Sequence, residues 1–194
     1  PGSAAYVVEQ ALATDPGAAV AKDAPVVVIG AGCIGLFTAY ELVRRGYTNV
    51  EVIAESFTGL TSHNAAGLLA PVSMDNDPES QVLIDRIGVE AYRFFAAIAA
   101  GTHPDFAAGA AIIPSYFATR EESGLEPYVG VVMEPAKDVT VDFGNGTQRS
   151  MVVYDDGIFM DTALLMDEMT AWLTPHVTFT QAKVTAFADL PARL

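Results

Sequence analysis

The chain has 194 residues, 51% of them hydrophobic, with ten Lys and Arg against twenty-four Asp and Glu, a formal charge of −14. That is ample apolar material for one large domain, or one domain with a lobe inserted into it, and it excludes a disordered chain. A surface so acidic repels phosphate backbones and anionic lipid, which argues against nucleic-acid and membrane-surface partners.

The single cysteine, Cys33, rules out an internal disulfide framework and a cysteine-rich metal site, so no metal is expected. A lone thiol suits a reducing, intracellular compartment. No apolar run reaches the roughly 18 to 20 residues of a membrane span. Residues 1–24 lack the basic start and apolar core of a signal peptide and read as an N-terminal extension. The Pro1-Gly2-Ser3 opening is left out of the fold reasoning, and Tyr6 to Ala13 is expected to form a short helix.

Val26 to Ile29 is a β-branched run between Pro25 and Gly30, which reads as a strand buried on both faces in a parallel sheet. Ile34, Phe37, Thr38, Leu42 and Val43 recur at helical spacing up to Arg45, with Gly46 closing the helix. Val50 to Ala54 is the next strand, completing a right-handed crossover unit. After a polar stretch from Ser56 to Ala66, Gln81 to Ala100 reads as a long helix. Ile112 to Phe117, Tyr128 to Met133, Val139 to Phe143 and Gln148 to Tyr154 are short β-prone runs, with FGNGT as a hairpin turn between the last two. Helical spacing returns from Thr162 to Leu173, and VTFTQAKVTAF holds two short strand-like runs ending at Phe187. The expected fold is α/β: a Rossmann-like parallel sheet with flanking helices (25–108 and 161–194) plus an inserted antiparallel lobe (109–160), both incomplete in this chain.

Gly30, Gly32 and Gly35 form G-x-G-x-x-G, with Ala31, Cys33 and Ile34 between them, directly after a strand and into a helix. The first glycine permits the tight turn, the second lets backbone approach a pyrophosphate, and the third lets helix and strand pack closely. The helix N-terminus then offers free N–H groups and the positive end of its dipole. Glu55, ending the second strand, is placed to accept ribose hydroxyls, and an acid there disfavours a 2′-phosphate. The plain alternatives are a ligand-free turn and a solvated strand-end carboxylate. Cys33 reads as a buried packing residue, since apolar burial raises a thiol pKa.

The crossover unit alone leaves nicotinamide and flavin cofactors open. The following segment, ESFTGLTSHNAAGLLAP from Glu55 to Pro71, resembles the flavin-contacting loop of the D-amino-acid oxidase family, which has an F-T-x-L-T-type run and then an A-A-G-L-type turn. The matching residues are Phe57, Thr58, Leu60 and Thr61, then Ala65, Ala66, Gly67 and Leu68. YDDGIFMDTALLMDEMTAWL and VTFTQAKVTAF are similar to the family's return from the substrate lobe to the cofactor domain. The resemblance implies FAD as cofactor, hydroxyls (Ser56, Thr61, Ser62) near the pyrophosphate, the backbone of Ala66, Gly67 and Leu68 against the flavin ring, and Val184 at the adenine. Leu69, Ala70 and Val72 stand where animal D-amino-acid oxidases carry W, Q and Y, and A-A-G-L-L-A-P is closer to glycine oxidases of the same superfamily. His63 is a polar loop histidine or, as in some other flavoproteins, a covalent flavin ligand.

The implied reaction is oxidative deamination of a D-amino acid to a 2-oxo acid and ammonia, the flavin taking a hydride and dioxygen reoxidising it to hydrogen peroxide. Glycine or sarcosine oxidation, a non-catalytic flavin-binding subunit and an NAD-linked dehydrogenase are the competing readings. Relatives place their carboxylate-clamping arginine and substrate tyrosines after the point matching Leu194, so the catalytic residues are unknown. Arg44, Arg45, Arg86, Arg93, Arg120 and Arg149 read as surface charges, and Tyr116, Tyr128 and Tyr154 as lobe residues that either line a pocket or pack. The chain therefore reads as an N-terminal half whose partners are an amino-acid substrate and a complementing C-terminal half or second chain, with a homo-oligomer left open. Ala192-Arg193-Leu194 is similar to a peroxisomal address, making the expected location peroxisomal or cytoplasmic.

Overall fold

The computed structural model describes residues 1–13, 20–65, 67–70, 77–186 and 190. Two compact units emerge: Pro1–Ala66 with Pro104–Gly109 and Asp161–Leu194, and Gly67–His103 with Ala110–Met160.

In the first unit, the helix α1 (Gly2–Ala13) begins before the expected Tyr6. Strand β1 (Val26–Ile29), helix α2 (Cys33–Arg44) and strand β2 (Val50–Ala54) form the crossover read from the sequence. The helix buries Leu36, Phe37, Ala39, Tyr40 and Leu42. Ile34, expected on that apolar face, is instead exposed, because the first helical turn projects past the strand end.

The second unit opens with β3 (Gly67–Leu68), a two-residue strand inside the stretch read as loop and turn. Helix α3 (Pro78–Ala99) starts at Pro78 because Asp77 caps it: its carboxylate accepts the N–H groups of Glu79 and Ser80. The helix packs in this unit, against β4 (Ala110–Phe117), although the sequence reading grouped it with the residues before it. A single turn, α4 (Arg120–Ser123), precedes β5 (Lys137–Asp142) and the long β6 (Gln148–Met160).

Tyr128 to Met133, expected as a strand, is a 3-10 turn (Glu126–Tyr128) and a tight loop. Pro127 removes a ladder donor, and Gly130 turns the chain at φ 75° so that its N–H reaches Met133 O. Strand β6 also differs: it runs six residues beyond the expected Tyr154, through Asp155-Asp156-Gly157, which reads as a turn. It continues because the ladder absorbs the extra residue as a bulge in β6, Asp155 and Asp156 lying opposite Pro114 alone between the pairs Gly157–Ile113 and Tyr154–Ser115, and because both acids find partners, Asp155 the Lys137 ammonium and Asp156 Oδ2 the Glu134 N–H at 2.7 Å. The sheet order is β3-β6-β4, antiparallel, with β5 also on β6 through the expected FGNGT hairpin.

The chain returns to the first unit with α5 (Thr162–Leu173), at the bounds the spacing predicts and capped by Asp161, and with β7 (Thr178–Gln181). The second strand-like run, Lys183 to Phe187, forms no strand among the described residues. Strand β7 pairs with β2, giving an all-parallel sheet ordered β1-β2-β7. The parallel and antiparallel parts together are the expected α/β architecture.

Burial holds the phenols of Tyr92, Tyr128 and Tyr154, all in the second unit, in their neutral form. Burial first, then the Asp156 charge, pushes Tyr92 up to about 12, and burial also raises Tyr128 and Tyr154. A folded-state pKa above the unfolded value near 10 contributes stability that is complete below pH about 10 and is lost as pH rises through about 12. Tyrosinate absorbance near 295 nm should therefore rise together with loss of the β-sheet circular dichroism in that window. Tyrosines that ionise near pH 10 with the sheet intact would contradict it.

Candidate active site: the nucleotide cavity

Parallel strands leave their C-terminal ends facing a crevice where ligands of open α/β sheets bind. In the first unit that crevice is a cavity of about 450 Å³ whose wall includes Gly30, Ala31, Gly32, Glu55, Ser56 and Val184, with Ile29, Ile53, Ala54, Leu60, Ala182 and Lys183 between them. Three strand ends contribute. The β1–α2 turn supplies the glycines, β2 supplies Glu55 and Ser56, and the segment leaving β7 supplies Ala182 to Val184. Hollows elsewhere, beside Arg86 and beside Trp172, are somewhat larger but are not built on strand ends or on the glycine turn.

Each glycine of the motif has a separate physical reason. Gly30 adopts φ 103°, a conformation that side chains resist, so the chain can turn from strand to helix. A Cβ on Gly32 would lie 3.2 Å from Ser62 Oγ, inside the cradle itself. A Cβ on Gly35 would lie 2.0 Å from Gly30 O, so α2 crosses the strand end in direct backbone contact.

The helix has no side-chain cap of its own. Ser62, in the 3-10 turn Thr61–His63, supplies one from a distance: the Cys33 N–H donates to its Oγ at 3.0 Å. That bond uses an Oγ lone pair and leaves the Ser62 hydroxyl its own proton to donate beside the helix start. Ser56 is used differently, since its hydroxyl donates to Thr58 O at 2.8 Å. Cys33, expected to be buried, is half-buried and does not line the cavity. Thr61 is exposed at the head of the turn. His63 Nδ1 is buried without a hydrogen-bond partner among the described residues.

Gly67 and Leu68 are in the second unit, as the strand β3 paired with Met160 and Phe159 of β6, and Leu69 extends that pairing through its N–H to Ile158 O. Ala66, Val72 and the terminal Ala192-Arg193-Leu194 lie outside the described residues. Arg44, Arg45 and Arg120 are engaged with Asp105, with Glu9 and Glu41, and with Asp138. Tyr128 and Tyr154 are packed inside the lobe, while Tyr116 is exposed. No cluster of metal-ligating side chains occurs among the described residues, and none of their helices is long and apolar enough to cross a membrane.

Lys183 was missed by the sequence reading. Its ammonium lies 3.4 Å from Glu55 Oε1 at the cavity wall. Adjacency to Val184 was its one signal, and a lone lysine in a polar tail is indistinguishable from a surface charge until β7 is seen to pair with β2.

The donor set fits an adenine dinucleotide: a glycine turn at a helix start for a diphosphate, a hydroxyl beside it, an acid at the second strand end for ribose, and an apolar wall for a base. Solved structures similar to this chain include glycine oxidase from Bacillus cereus ATCC 14579, with a TM-score of 0.59 and 20% identity over 84% of this chain and 49% of that one. Iminodiacetate oxidase from Chelativorans sp. BNC1 gives 0.60 and 18% over 81% and 46%. Amadoriase I from Aspergillus fumigatus gives 0.55 and 17% over 84% and 41%. Identities this low establish a shared fold, and the chain spans less than half the length of each. Among curated proteins, no sequence matches. A family profile described as FAD dependent oxidoreductase matches residues 25–192. That match covers the glycine turn, the strand-end acid and the returning strand alike, and the chain belongs to this family, whose cofactor is FAD.

Proposed function

We propose that the protein containing this chain oxidises the C–N bond of a D-amino acid, giving a 2-oxo acid, ammonia and hydrogen peroxide, and that this chain holds the adenosine diphosphate half of FAD. The observation that carries the reading is the cavity where Gly30 to Gly32, Glu55 and Val184 meet at three parallel strand ends. When bound, FAD supplies the hydride acceptor and the group that reacts with dioxygen. This chain's own residues bind and orient. The glycine turn and the start of α2, where Ser62 Oγ already holds the Cys33 N–H, would receive the diphosphate through their other backbone N–H groups, and Glu55 would accept from the ribose. Thr61, Ala66, Gly67 and Leu68 are proposed to continue the contact toward the ring.

A glycine or sarcosine oxidase is the second reading, favoured by the A-A-G-L-L-A-P run and by the likeness to glycine oxidase. A covering polypeptide, a peroxisomal or cytoplasmic location and a lobe built on 109–160 belong to the same proposal. Exposed Ile112, Ile113 and Tyr116 on the edge strand β4 support the cover.

The test is the visible spectrum of the intact protein as purified. A flavin band that bleaches on anaerobic D-alanine is the expected result. Bleaching by glycine or sarcosine in preference selects the second reading. A flavin band unmoved by any of these amino acids removes the oxidase proposal and leaves a flavin-binding protein.

A further inference from the structure

We propose that Lys183 is a positioning residue of the nucleotide cavity: it holds the Glu55 carboxylate in the place where adenosine ribose hydroxyls are accepted. The inference deepens the cofactor reading above and rests on it. Glu55 is the last residue before the polar loop, and its side chain is 69% exposed. Left alone, such a glutamate samples several rotamers, and fixing one on binding costs about 0.5–1.5 kcal/mol. Here the segment leaving β7 grips the end of β2 at three successive points. The Ala182 N–H donates to Ala54 O at 2.9 Å, Gln181 Nε2 donates to Glu55 O at 3.1 Å, and Lys183 Nζ lies 3.4 Å from Glu55 Oε1. The first two bonds fix the backbone that carries Glu55; the third engages one carboxylate oxygen and leaves Oε2 for the ligand.

Charge adds a second reason. Among the residues lining the cavity, Glu55 is the sole acid and Lys183 the sole base, in a chain of formal charge −14. An uncompensated Glu55 would oppose the approach of a diphosphate, and the ammonium cancels it. Because both groups are about two-thirds exposed, the pair adds little to folding, so its removal leaves the fold in place. Its influence grows once a nucleotide covers it and excludes water.

The test compares ADP with 2′,3′-dideoxy-ADP by titration calorimetry on the cofactor-free intact protein. The parent is expected to prefer ADP at least tenfold, as loss of hydrogen bonds to a charged acceptor implies on the order of 1.5–3 kcal/mol. Lys183→Met should reduce that preference about three- to tenfold, and Lys183→Arg should keep most of it. In a Glu55→Gln background, Lys183→Met should change the preference no further. An unchanged preference in Lys183→Met overturns the proposal, as does a loss that persists in the Glu55→Gln background, which would make Lys183 a direct ligand contact. A parent that binds neither nucleotide overturns the cofactor reading and this inference together, whereas the other two failures leave that reading standing.

Discussion

Gly35→Ala should lower the unfolding free energy of the first unit by roughly 3 kcal/mol or more and remove flavin from the purified protein. The added Cβ would lie 2.0 Å from Gly30 O and 2.9 Å from Gly30 C. Both atoms are backbone, so no side-chain rotation relieves the contact. Either α2 must lift from the end of β1 or the turn at Gly30 must open. Lifting the helix uncovers Leu36, Phe37 and Tyr40, and opening the turn moves the amides at the start of α2. Against a typical total of about 5–15 kcal/mol, the loss is large. Urea unfolding and the flavin-to-protein absorbance ratio measure the two parts separately. Unaltered stability in Gly35→Ala would mean that α2 does not cross β1 in contact.

The second large effect is expected away from the cavity. Asp105 joins two helices of the first unit: it accepts from the Tyr40 hydroxyl of α2 at 2.7 Å and from Trp172 Nε1 of α5 at 3.2 Å, and the Arg44 guanidinium lies 3.2 Å away. Its side chain is only 14% exposed. Asp105→Ala strips an acceptor from two aromatic donors and a counter-charge from an arginine, and should cost about 2–4 kcal/mol. Asp105→Asn, which keeps an acceptor but not the charge, should cost less. Trp172 is the chain's single tryptophan, so its emission reports the site directly and should shift to the red. Burial first, then the Asp105 hydrogen bond, raises the Tyr40 pKa, so Tyr40 should ionise at lower pH in Asp105→Ala. Emission and midpoint both unchanged would remove Asp105 from this role.

The crossover from β1 to β2 was legible because everything that specifies it is local: a β-branched run, three glycines at fixed spacing, and an apolar helix stripe. Helix α5 was equally plain, with Asp161 at its cap. What stayed hidden has a shared cause, which is pairing with distant residues. Strand β3 is two residues of an A-A-G-L run, and only Phe159 and Met160 across from it make it a strand. Strand β6 passes through an Asp-Asp-Gly sequence that favours a turn in isolation, and a bulge of Asp155 and Asp156 opposite Pro114 of β4 accommodates it. Tyr128 to Met133 misled in the other direction: apolar and β-branched, it has Pro127 before it and Gly130 inside it, and local backbone geometry prevails over composition. At the cavity, the glycines and Glu55 could be read directly. Lys183 could not, since nothing in the sequence says that residue 183 stands beside residue 55.

That distant pairing also orders events during synthesis. The β5–β6 hairpin closes within its own few residues, and β1, α2 and β2 form from one continuous stretch, whereas residues 51–54 meet 178–181 only after the whole lobe has emerged. Until then the nucleotide cavity lacks the wall of Ala182 to Val184. Closing the parallel sheet and completing the wall of the cavity are therefore one event, which follows the lobe.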